Sequence, residues 1–131
     1  MGIEHLDNGV EATSLSDLKQ FIASMPVENP PQEYQDAAQE ILTRASNGST
    51  QFTGLELIAL AGLLLQLFTY FRDHKIARFL VRRAAAHPNG VAAMLVHHKM
   101  NEELPEKLRG VPNVAAGVTE LTDAALTKAG I

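Results

Sequence analysis

The sequence predicts an all-α fold, a compact bundle of five or six helices around a central apolar helix at about residues 54–71. Three observations lead there. Apolar residues recur at i, i+3, i+4 and i+7 through most of the chain, no segment alternates with period two, and Pro-, Gly- and Asn-containing signals cut the chain into helix-length pieces. Residues 1–13 have no such periodicity and contain Asn8-Gly9, so they read as a flexible arm ahead of a single helical domain at 14–131.

Ser14 and Asp17 resemble a capping box, and Leu15, Leu18, Phe21, Ile22 and Met25 follow at helical spacing until Pro26 stops the run. Val27–Pro31 is a stiff linker, made so by Pro30 and Pro31, with Asn29 placed to cap the next helix. Tyr34, Ala37, Ala38, Ile41 and Leu42 form its apolar stripe, Glu33, Asp36 and Glu40 its wet side, and Asn47-Gly48 its end. Thr53-Gly54-Leu55-Glu56 satisfies the capping-box pattern in full. From Leu55 to Phe71 only Glu56, Gln66 and Thr69 interrupt an apolar run. A helix apolar on nearly every side belongs at the centre of a bundle or in a membrane. The short span and its two polar side chains favour the bundle.

Arg72–Lys75 reads as a polar joint. Beyond it Ile76, Ala77, Leu80, Val81 and Ala84 share one helical face, with Arg72, Lys75, Arg78, Arg82, Arg83 and Phe79 spread over the opposite arc. His87-Pro88-Asn89-Gly90 is a turn. Val91, Met94, Leu95 and His98 make the next apolar stripe, which should close near Met100 or Asn101. Pro105 and Gly110 bracket a short turn containing Leu108. A last helix starts at Pro112-Asn113, or only at Thr119 if Gly117 weakens the first turn, and carries Val114, Val118, Leu121 and Ala125 inward.

The charge is uneven. Residues 1–71 hold nine acids and two bases, residues 72–87 five bases and one acid, and residues 88–131 four bases and five acids, giving −7, +4 and −1. With no cysteine, these 131 residues offer no disulfide framework, thiolate zinc site or thiol nucleophile, which agrees with a cytoplasmic setting. The polar, acidic opening residues do not resemble a secretory signal. Met1-Gly2 lacks the hydroxyl residue that myristoylation requires at position 6, where Leu6 stands. Asn47-Gly48-Ser49 reads as a turn rather than a glycosylation site.

No phosphate-binding glycine loop, zincin motif, nucleophile elbow or calcium loop occurs, so neither a reaction nor a cofactor is expected. Three features remain. His98 and Glu102, at i and i+4, are the weak metal candidates, with His74 or His87 as distant supplements; adjacent His97 and His98 point about 100° apart and chelate poorly. Leu63, Leu64, Leu67, Phe68 and Phe71 could line an apolar pocket or simply pack a core. The basic segment is the expected partner-binding surface: Arg72, Lys75, Arg78, Phe79, Arg82 and Arg83 would dock an acidic protein surface or a second copy of the chain, unless the cations close on the acids of the second helix. The leading expectation is therefore a non-enzymatic helical interaction module with an adaptor, assembly or regulatory role. The alternatives are a nucleic-acid-binding regulator using the same helix, which the acidic total and the nearly uncharged following helix oppose, and a membrane-associated protein anchored through residues 55–71.

Overall fold

A computed structural model describes residues 15–46 and 52–131. The described residues form helices α1 (Leu18–Ser24), α2 (Gln32–Ser46), α3 (Gly54–Asp73), α4 (Lys75–Ala86), α5 (Val91–Glu103) and α6 (Val114–Lys128), with a 3-10 turn at Glu106–Leu108 and no strand. The fold is all-α, as the periodicity predicts. The expected arm at 1–13, Ser14 of the first capping box and the Asn47-Gly48 stop lie outside the described residues. Asp17 precedes α1 and makes no side-chain cap bond.

The capping box of α3 forms. Thr53 Oγ1 accepts from the Leu55 amide at 3.2 Å, while Glu56 accepts from the Thr53 amide at 2.7 Å and from the Thr53 hydroxyl. Glu56 is buried, and Lys107 of the 3-10 turn approaches it at 3.3 Å. The helix start is thereby tied to the distant 3-10 turn. The Thr53 hydroxyl, then the neighbouring backbone amides and Lys107, hold the Glu56 carboxyl down at about 2 against the opposing effect of burial.

Helix α3 then buries Leu60, Ala61, Leu63, Leu64, Leu67, Tyr70 and Phe71. By length and composition it could cross a membrane, yet half of its most apolar stretch is buried inside the bundle. It packs on α1, α2, α4 and α6. Gln66, one of the three polar interruptions in this run, has a structural use: its amide donates to the carbonyls of Ile22 and Met25 at 2.9 and 2.5 Å. Both carbonyls lie at the end of α1, where the Ile22 oxygen also accepts from the Met25 amide at 3.4 Å, so Gln66 fastens that helix end to α3. Phe21 meets Tyr70 edge-on at 5.4 Å on the same side.

Helix α6 is a second hub, touching α2, α3, α4 and α5. It starts at Val114, with Asn113 in the left-handed region at φ 70°, and does not wait for Thr119. The reason is packing. Val114 and Val118 are fully buried, and Gly117 lies against Ile41 of α2, where an added Cβ would stand 3.4 Å from Cγ1. Close helix approach outweighs the propensity cost of glycine, about 1 kcal/mol.

Two further expectations are corrected. Asn29 does not cap α2, because the helix begins three residues later; the Pro31 carbonyl instead accepts from the Tyr34 and Gln35 amides at 3.0 and 3.2 Å. In α5 the inward face is Ala92, Ala93, Val96 and Met100, while the predicted stripe of Val91, Met94, Leu95 and His98 is turned outward. Two helical stripes coexist in that segment, and the one with smaller residues at its start lets α5 approach its neighbours α4 and α6 more closely. The helix also runs on to Glu103, past the predicted stop.

Candidate docking face on helices α4 and α5

The basic segment opens at a one-residue joint. His74 ends α3 and starts α4, its imidazole stacked on the Tyr70 ring with centroids 4.1 Å apart. Its Nδ1 lies 2.7 Å from the Tyr70 carbonyl oxygen. A carbonyl only accepts, so the proton of this interaction sits on Nδ1.

The five cations do not form one free surface. Arg72 bridges Asp73 at 3.0 Å, and this pairing lowers the Asp73 carboxyl and raises the Arg72 guanidinium. Arg78 is half-buried and donates to the Arg72 carbonyl at 2.7 Å, closing the joint. Arg82, also half-buried, stands 3.7 Å from Asp123 of α6. Burial pushes the Asp123 carboxyl up, and Arg82 offsets that in part. Lys75 and Arg83 are exposed. Among the described residues, Arg72, Arg78 and Arg82 find partners other than the acids of the second helix, where Glu40 bridges Arg44 at 2.5 Å and Asp36 accepts from Gln32 at 2.9 Å. The contact runs to α6 because α4 packs on α3, α5 and α6.

Helical geometry divides the remaining surface of α4. Its buried residues are Ala77, Leu80, Val81 and Ala84. At 100° per residue, Arg78 and Arg82 fall on one side of the outer face, the side that reaches Asp123, whereas Ile76, Phe79 and Arg83 fall on the other. Since α4 packs on both α6 and α5, that second side lies toward α5. Phe79 is 63% exposed, as its place among the cations predicts. Ile76, expected in the core, is 55% exposed. It stands at the border of the buried stripe in the first turn, where the neighbouring helices do not cover it.

On α5 the outward stripe adds Val91, Met94 and Leu95, with Met94 67% exposed. Of the seven large hydrophobic side chains that stand exposed among the described residues, these two helices carry five; Leu55 and Ile58 at the start of α3 are the others. Of these five, the sequence pattern places only Phe79 on an outer face. A signal was present: in α5 the apolar residues outnumber what one face can bury, so one stripe had to remain outside.

His98 and Glu102 meet at 3.1 Å across one turn of α5, in the geometry their spacing predicts. Among the described residues no third His, Asp or Glu joins them to make a metal-sized cluster. His97, beside them, is half-buried, and burial holds its imidazole below the usual histidine range. His74 is committed to Tyr70. Leu64 and Phe68, two of the five predicted pocket residues, do line a cleft, with Tyr34 and Ala37 of α2 and several residues of α6. Leu63, Leu67 and Phe71 are core.

Comparison of the chain with protein-family models, with curated proteins and with solved structures gives no match.

Proposed function

We propose that this chain is a helical protein-interaction module that docks an acidic partner surface onto the outer face of α4 and α5. One observation carries the reading: large apolar side chains and cations are interleaved on the same two helices. Phe79, Ile76, Leu95 and Met94 are exposed there, with Lys75 and Arg83 beside them. A scattered exposed leucine needs no explanation, but five exposed large apolar side chains on two contacting helices, an aromatic and a methionine among them, have the composition of an interface core. Phe79 is the anchor and the cations steer an acidic partner into register.

The nucleic-acid alternative draws less support. Arg72, Arg78 and Arg82 already hold partners within the chain, and the whole carries a net charge of −4. The anchoring alternative is weakened by the burial of half of the apolar stretch of α3.

Selection from a displayed peptide library of mixed charge, followed by amide shift mapping with a winning peptide, tests the docking reading. Acidic peptides bearing an apolar anchor should perturb α4 and α5. Their affinity should fall about tenfold against Phe79→Ser, a change within the range of interface anchors. The melting temperature of that variant should barely move. Selection of basic peptides, or perturbation confined to other helices, would overturn it.

A further inference from the structure

Away from the docking face, α2, α3 and α6 enclose a half-open cleft of about 470 Å³. Its walls are Tyr34 and Ala37 of α2, Leu64 and Phe68 of α3, and Thr122 and Ala125 of α6. The volume falls within the range of small-molecule sites, and the lining is predominantly apolar with a few polar groups. The Tyr34 and Phe68 rings, 6.4 Å apart and tilted by 53°, make one wall aromatic.

Thr122 is the anomaly in this wall. It is 2% exposed, and its hydroxyl has no hydrogen-bond partner among the described residues. Two other helix-borne threonines behave differently: Thr69 and Thr119 return their hydroxyls to the carbonyls of Leu65 and Ala115, at 3.0 and 2.9 Å. A buried hydroxyl left without a partner is costly, and such groups in native proteins call for an explanation. Threonine in a helix populates two χ1 wells, so turning Oγ1 toward the cleft needs only a rotamer change.

The charges at the cleft constrain what it takes. Glu33 and Lys128 both line it, and no ion pair joins them. An anionic ligand would gain Lys128 and face Glu33, and a cationic one the reverse. Neither sign is selected. Burial also raises the Tyr34 phenol, with Glu33 adding to the effect, so that group stays a neutral donor and acceptor at physiological pH.

We propose that this cleft binds an electroneutral aromatic molecule carrying a single hydroxyl group, its ring against Tyr34 and Phe68 and its hydroxyl on Thr122. Two probes that share one ring system, 2-naphthol and naphthalene, differ only by the hydroxyl and separate the parts of this assignment. Titrated against the whole chain, 2-naphthol should bind saturably at one molecule per chain. It should shift the amides of Tyr34, Phe68 and Ala125. Thr122→Val should weaken 2-naphthol roughly fivefold, the worth of one neutral hydrogen bond, and leave naphthalene unchanged or slightly tighter. Ala125→Phe, filling the space, should abolish binding of both. Because that variant could unfold the bundle, its helical circular dichroism is read first, and the shift map on the unaltered chain stands independently of it. Absence of saturable binding, amide shifts confined to α4 and α5, or equal loss of both probes in Thr122→Val would each overturn the assignment.

Discussion

Helices α3 and α5 are both rich in apolar residues, and they spend them in opposite ways. In α3, beyond the exposed Leu55 and Ile58 of its first turns, the large side chains go mostly inward: Leu60, Leu67 and Phe71 are fully buried. In α5 the small ones go inward, Ala92 and Ala93 leading, while Val91, Met94 and Leu95 face out. The contrast follows from position. α3 is surrounded by four helices, so nearly every direction offers cover. α5 lies against α4 and α6 and has one covered side, and alanine on that side permits close approach. Apolar content therefore measures what a helix is able to bury, and its neighbours decide what it does bury.

Truncations should show the largest difference. Leu67→Ala in α3 should cost about 2–5 kcal/mol in urea unfolding, the range for emptying a fully buried leucine site. Met94→Ala in α5 should stay within about 0.5 kcal/mol, as surface substitutions do. Equal costs would mean that α5 is covered in the isolated chain, most simply by a second copy, which sedimentation would reveal.

Enlargement tests the alanine seam. Ala93→Leu should destabilise by about 1–3 kcal/mol through overpacking, although it adds apolar surface to an apolar face. Were the variant as stable as the parent, α5 would have room on its inner face and the outward stripe would need another reason.

The start of α3 should respond to pH. Thr53→Ala should lose about 1 kcal/mol of cap stabilisation. Glu56 has a folded-state pKa of about 2, below its ordinary 4.5. Its contribution is therefore fully present above pH 4.5 and is lost as pH falls toward 2. Glu56→Gln should flatten that part of the stability profile and leave the region above pH 6 without new slope.

The smallest effect belongs to the basic helix. Arg82→Ala should cost less than about 1 kcal/mol, because its pair with Asp123 is long and partly solvated. A loss several times larger would show that the cations hold α4 against α6 rather than border a docking face, and would remove part of the case for that face.

Local sequence determined most of the secondary structure. The capping box at Thr53 and Glu56, the turn at His87–Gly90 and the 3-10 turn around Leu108 are each specified within a few residues, by hydrogen bonds and backbone preferences that need no distant partner. The central place of α3 was legible for a related reason: a helix apolar on most sides has few alternatives. What depends on neighbours was not legible. Which stripe of α5 turns inward, whether Ile76 is covered, why Gly117 sits inside a helix, and which acid meets Arg82 were all decided by packing. The cleft at Thr122 belongs to the same group, since its walls join residues as far apart in sequence as Glu33 and Ala129. Periodicity reports that a face is apolar; only the approach of another helix, at a distance set by the side chains between them, converts that face into core, seam or surface.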